Sequence, residues 1–392
     1  MKRVSNRWRR ALAGLAAVTL IVVVFAIWGV RAIISGQLHA RYGGRVTFSG
    51  WHLGTSSSSL GNLALGETDS PESPVWAEAQ RVETDLTIGG ILRGRLAPTK
   101  ITLVSPRITF RVGPDGEVLT LPPLKSQSGT SVVPSVEVHS GRVTITQEGR
   151  PELVVEPVRA TLSSGEGGEI LRAETDSAFW GKWTATGKFA SGFGSGAITL
   201  TSDEPLVIDA AKTARLPFVP AVVWDHVRPR GPVKVAIDVV TGASPTVVTR
   251  GEFLGTRLDL PTLGLIAEAA TGRMTIAGAK VTIDGARGQA LGGEVGARGT
   301  LDFGVNPPKF DLVLDLKNVD VTKTPKSWQL DEAGITGRLT GSAHLRVVLT
   351  NDGPDFSGTE GSGVVEGASL GGVAVKSLKL AMRAEGNERP PV

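Results

Sequence analysis

Gly367-Ala368-Ser369-Leu370-Gly371 has the G-x-S-x-G spacing that can lift a serine hydroxyl onto a strained turn between a strand and a helix. A nucleophile of that kind needs an acid and then a histidine later in the chain, but the last histidine is His344. The next residues, GGVAVKSLKLAM, alternate like a strand, so a glycine turn accounts for the match better than a nucleophile elbow. The five histidines, His39, His52, His139, His226 and His344, form no H-E-x-x-H and no close pair. With no cysteine in the chain, thiolate ligands, thiol catalysis and disulfides are excluded as well. Asp203-Glu204 and Asp331-Glu332 are adjacent carboxylates beside helical stretches, and read as helix-start charges rather than an acid/base pair. Trp180 and Trp183 lie three apart in a strand-like region, on opposite faces, which suits core packing more than a sugar platform. No glycine motif that cradles phosphates is present. The expectation is a non-enzymatic protein with no catalytic residue, no cofactor and no metal.

The elements around these residues carry a clearer signal. In FDLVLDLK, Phe310, Leu312, Leu314 and Leu316 share one face, with Asp311, Asp315 and Lys317 on the other. PVKVAIDVV sets Val233, Val235, Ile237 and Val239 against Lys234 and Asp238. RITFRV sets Ile108, Phe110 and Val112 against Arg107, Thr109 and Arg111, and RVTIT sets Val143 and Ile145 against Arg142, Thr144 and Thr146. SLKLAMR repeats the pattern with Leu378, Leu380 and Met382 opposite Lys379 and Arg383. Side chains alternate between the faces of a strand, so each segment has one apolar and one polar side. Fifty glycines and 23 prolines beside 41% hydrophobic residues fit many short strands joined by turns. The reading is a mainly antiparallel sheet with one wet face. Two stretches break the alternation: 209–229, interrupted by Pro217 and Pro220, and 322–334, where Pro325 stands near a helix start.

The first residues place the chain. Lys2, Arg3, Arg7, Arg9 and Arg10 come with no acid among them, and Ala11 to Val30 then runs 20 residues without a charge. A helix of that length, at about 1.5 Å per residue, covers roughly 30 Å, the hydrocarbon thickness of a bilayer. The basic cluster stays cytoplasmic, so the bulk lies outside, with Trp28 near the outer interface. A cleaved signal peptide would carry a shorter apolar run and a small-x-small site, where this one closes on Trp-Gly-Val-Arg. The net charge of +4 is carried by those first residues, and the remainder is close to neutral, which gives no argument for nucleic acid. The expected organisation is a basic segment at 1–10, a transmembrane signal anchor at 11–34, a β-region at 35–120 and a Pro/Ser-rich linker or loop at 121–134. A repetitive β-region comes next at 135–385, then a polar tail at 386–392. GKWTATGKF at 181–189 resembles GEVGARGTL at 293–301, so the last region is read as a repeat of about 110 residues, at about 180–280 and 291–385.

Over residues 1–120 the succession of features resembles the AsmA-like family of bacterial envelope proteins. It runs from the anchor through VTFSG (46–50), SLGNLAL (59–65), PVWAEAQRVETDL (74–86), GILRGRL (90–96), ITLVSPRITFRV (101–112) and DGEV (115–118), and VEVHSGRVTITQEG (136–149) continues it. The later GRMTIAGAKVTIDGARGQALGGEVGARGTL is similar to the C-terminal half of such proteins, though this chain is short beside the large members. The resemblance implies an N-terminal transmembrane helix followed by an elongated, twisted antiparallel β-sheet. That sheet would curl into a U-shaped groove with a few short helices, related to chorein-type bridges, with acyl chains on its apolar inside face. The same residues would equally core a closed sandwich or barrel. The expected role is to bind or conduct phospholipid acyl chains in envelope and outer-membrane biogenesis, from the periplasmic side of the inner membrane. The apolar residues named above would line the groove, and the C-terminal strand edge near Val373 to Met382 would be open to a protein partner. The rivals are an assembly factor that adds β-rich client strands to its edge and, least supported, a glycan-active enzyme.

Overall fold

The computed structural model describes residues 43–383 apart from 94, 96–97, 114–118, 121–133, 191–194, 218, 242–245 and 326–333. The basic segment, the apolar stretch at 11–34, His39, Asp331-Glu332, the tail and nearly all of the Pro/Ser-rich stretch lie outside the described residues. Among those described, no helix is long and apolar enough to cross a membrane. The protein is mainly β, with 21 strands hydrogen-bonded in one mixed sheet. No pairing among the described strands joins the first to the last. The chain divides into two compact units.

The first unit begins with β1 (Val46–Thr47) and β2 (Gly50–Leu53), which both pair with β3 (Ser58–Gly66). β4 (Val75–Thr84) is next, then a short helix, α1 (Ile88–Leu92), and β5 (Lys100–Val112). β6 (Ser135–Gln147), β7 (Leu153–Gly165), β8 (Gly168–Ser177), β9 (Gly181–Phe189) and β10 (Gly196–Ser202) continue the order, each pairing with its predecessor. One pair departs from the expected antiparallel pattern: β5 and β6 run parallel, from Lys100↔Ser135 to Val112↔Gln147. A hairpin cannot join parallel neighbours, so the chain must travel back between residues 112 and 135.

Leu65, Trp76, Leu103, Phe110, Val136, Leu162 and Val239 belong to one buried cluster whose described members lie on strands. Asp85 pins the start of β5. Its carboxylate accepts from the amides of Thr99 (2.9 Å) and Lys100 (3.2 Å) and from the Thr99 hydroxyl, and pairs with Arg95. Burial works to raise its pKa, but these hydrogen bonds win and hold it below the usual carboxylate value.

The second unit starts at β11 (Leu206–Ile208), followed by the short helices α2 (Ala210–Thr213) and α3 (Ala221–His226). β12 (Arg228–Thr241) gives its first half to this unit and its second half to the other. Then come β13 (Thr246–Leu260), β14 (Leu265–Ala277), β15 (Lys280–Ala290), β16 (Gly293–Asp302), β17 (Lys309–Asp320) and β18 (Ile335–Thr350). A three-residue β19 (Gly353–Asp355) and two longer strands, β20 (Glu360–Leu370) and β21 (Val373–Arg383), complete the order. From β13 to β21 every pair is antiparallel. Both stretches that break the alternation contain short helical turns: α2 and α3 in the first, and one 3-10 turn at Val321–Lys323 where the second begins. Asp209, not Asp203 or Glu204, caps α2, accepting from the Lys212 amide at 2.8 Å.

Close strand approach explains part of the glycine content. Gly299 of β16 has φ +139°, and a Cβ there would sit 2.1 Å from the Asp311 carbonyl oxygen of β17. Gly187, the residue aligned with it in the expected repeat, has no positive φ, so the two glycines answer different local demands.

Candidate apolar binding face

The apolar face of β17 follows the sequence pattern. Phe310, Leu312, Leu314 and Leu316 are all buried, Leu314 at 1% exposure, while Asp311, Asp315 and Lys317 are exposed. Ile108, Phe110, Val112 and Ile145 are likewise buried in the first unit, with Val143 and Ile237 packed against them beside Val239. Val233 is buried and Val235 half-buried on the part of β12 that belongs to the second unit. Leu378, Leu380 and Met382 face the expected way but are only half-buried.

Register shows which of these meet. Ala297, Leu314, Ala343, Gly361 and Met382 form one cross-strand row from β16 to β21. The adjacent row runs Val295, Leu316, Gly341, Gly363 and Leu380. Between the leucines of β17 and the apolar residues of β21, the face therefore carries only Gly341, Ala343, Gly361 and Gly363. Two strands and two rows span roughly 10 by 7 Å. Leu339 and Val365 bound this floor on one side, and Leu345 stands on the other. Burial declines across the row, from Leu314 through Ala343 at 6% to half-buried Gly361 and Met382. The face is covered at β17 and becomes accessible toward β21.

The glycines have their own backbone reason. A Cβ on Gly341 would lie 2.2 Å from the Ser362 carbonyl oxygen, and one on Gly363 would lie 2.7 Å from that of Thr340. β18 and β20 approach too closely for side chains there, and a floor without side chains is the consequence. A pattern of large apolar residues does not reveal these four positions. Their signal is small residues at period two, Gly341-x-Ala343 and Gly361-x-Gly363.

The residues with catalytic potential are not assembled into a site. Gly367 to Gly371 is the end of β20 and the turn into β21, so Ser369 sits opposite Ala374 in a hairpin, with no helix after it. The Thr184 hydroxyl donates to Asp203 at 3.0 Å, and Lys182 pairs with Glu204 at 3.3 Å, which commits both carboxylates to β9. Trp180 is buried in the β8–β9 turn, and its carbonyl accepts from the Trp183 indole at 2.7 Å. His139 lies beside Glu137, and His344 beside Asp311 on the polar face of β17–β18. A cavity of about 240 Å³ on the polar face of the first unit is lined by Arg107 and Arg142, opposite each other, with Glu78 and Glu156 balancing them from the flanking strands. Among the described residues no cluster of His, Asp or Glu is placed to hold a metal.

His226 differs from the other histidines. At the end of α3 its ring stacks on Phe303 and meets Phe310 edge-on, with centroids 5.6 and 5.9 Å apart. Its Nδ1 shares a hydrogen bond with the Thr262 hydroxyl. Burial lowers its pKa, Arg228 adds to that, and Asp225 opposes both. The neutral ring is the stable one. Stability is therefore complete above the ordinary histidine value of about 6.5 and is lost as pH falls below it toward the folded value. In thermal unfolding of the full chain, Tm should fall between pH 7.5 and 5.5, above the carboxylate range. His226→Leu should flatten that slope, and an unchanged slope would refute the assignment. No family model matches the chain and no curated protein matches it significantly, so the reading of this face rests on its own geometry.

Proposed function

We propose that the protein is a membrane-anchored, AsmA-like envelope protein whose apolar β-face binds phospholipid acyl chains. In this reading it has no catalytic role, faces the periplasm and serves envelope or outer-membrane biogenesis. The observation that carries it is the accessible apolar floor of Gly341, Ala343, Gly361 and Gly363 between the leucines of β17 and the half-buried Leu380 and Met382. A hydrocarbon chain on that floor would supply the side-chain contacts the strands lack. Each methylene removed from water is worth about 0.8 kcal/mol, so even part of a C16 chain gains several kcal/mol before ordering costs. Transfer along such a face needs no covalent step. The elongated, U-shaped groove of the resembled family is the arrangement this reading requires. The edge of β21, unpaired among the described residues, favours one rival, an assembly factor that adds client strands.

Alternation along β21 provides the test. A photo-crosslinking amino acid placed singly at 378, 380 or 382 in the full chain, irradiated in cells, should yield phospholipid adducts by mass spectrometry. The same group at 377, 379 or 381 should yield few or none. Equal labelling of both sets, or no lipid on either, overturns the reading.

A further inference from the structure

The first and last described strands end their ladders differently. β3 is met on its outer side by two short pieces, β1 of two residues and β2 of four. β21 is 11 residues long, pairs with β20 from Leu370↔Val373 to Glu360↔Arg383, and has no other strand partner among the described residues. It contains no proline, no glycine and no residue of positive φ. Native sheets blunt their edges by shortness, proline, bulges or charge. β21 has only the last: Lys376, Lys379 and Arg383, with no acid on the strand. Arg383 faces Glu360 across the ladder, but neither lysine has an ion pair among the described residues. Val373, at 67% exposure, and Val375 leave apolar surface beside these cations.

This combination is selective. Two copies of β21 laid edge to edge would gather the cations of both and no carboxylate, and like charges opposed across a ladder are destabilising. Lys379 lies on the face opposite Leu378, Leu380 and Met382, whereas Lys376 shares theirs. An incoming strand that alternates apolar and acidic residues would complete the backbone hydrogen bonds, extend the apolar face and set its acids on the opposite face beside Lys379. We propose that β21 is a docking edge for an extended segment of another protein in which apolar residues alternate with aspartate or glutamate. This stands independently of lipid binding, because it rests on the backbone edge of the strand and on Lys379 of its polar face, neither of which lipid binding requires.

The test uses the full chain in phospholipid nanodiscs and a fluorescent 11-residue peptide alternating valine with glutamate, matched to β21. By fluorescence anisotropy this peptide should bind at least about tenfold tighter than its valine–lysine counterpart. Binding should weaken with salt and disappear when alternate amides are N-methylated, which removes the ladder donors. Lys379→Glu should abolish the preference, with circular dichroism showing the sheet intact. Equal affinity for the two peptides, or undiminished binding of the N-methylated one, overturns the proposal. Absence of binding does so too, and reduces the lysines to guards of an edge that accepts nothing. A dimer in sedimentation that Val375→Pro dissociates would assign the edge to a second copy instead. Lipid adducts at position 380, read in the same preparation, report separately on the apolar face.

Discussion

Leu314→Asp is expected to destabilise the second unit by at least about 3 kcal/mol, because a carboxylate would be buried where no donor waits for it. Leu314 is 1% exposed and stands between Ala297 and Ala343 in its cross-strand row. Leu314→Ala removes the same contacts without burying a charge and should cost about 2–5 kcal/mol, depending on how far the face relaxes. One residue along, Asp315 is exposed and faces Arg298 at 3.5 Å, a surface ion pair of little worth. Asp315→Lys should change stability by no more than about 0.5 kcal/mol. Denaturant titration of the full chain in detergent, followed by tryptophan fluorescence, separates these outcomes. Similar midpoints for Leu314→Asp and Asp315→Lys would show that the face of β17 has been assigned wrongly.

The other large effect concerns topology, and its result is close to all or none. Alkaline phosphatase fused after residue 60 should be active, because the enzyme folds only outside the cytoplasm, and the fusion should stay with the membrane after carbonate washing. The charge asymmetry of residues 1–10 against the uncharged run from Ala11 to Val30 sets this expectation. An inactive fusion overturns the orientation. An active fusion released as a fragment beginning near residues 36–42 makes the N-terminus a cleaved signal peptide instead.

The strands and their faces were legible from local pattern because side-chain direction in a strand follows from parity alone. Phe310, Leu312, Leu314 and Leu316 are buried on one side of β17 as the alternation requires. The same rule put Leu378, Leu380 and Met382 on a common face, but parity says nothing about how deeply a face is covered. Their half-burial accompanies the position of β21, which has a strand neighbour on one side only among the described residues. Asp203-Glu204 does not start a helix, because polarity near a helical stretch does not reveal where its first turn lies. Asp209 holds that position through its bond to the Lys212 amide.

By itself the sequence determined a chain of amphipathic strands with glycine turns, and an apolar run at one end long enough for a bilayer, but not that most of those strands run 9–16 residues. Each of those features is local, fixed by residues within a few positions of one another. What only the tertiary structure decided depends on which strands become neighbours. The parallel pairing of β5 with β6 requires a return of chain between residues 112 and 135 whose course no local rule specifies. The apolar floor exists because Gly341 and Gly363 come opposite each other on strands too close for side chains, and Leu316 and Leu380 stand at its sides. Period two tells which way a side chain points, but only register determines what it meets.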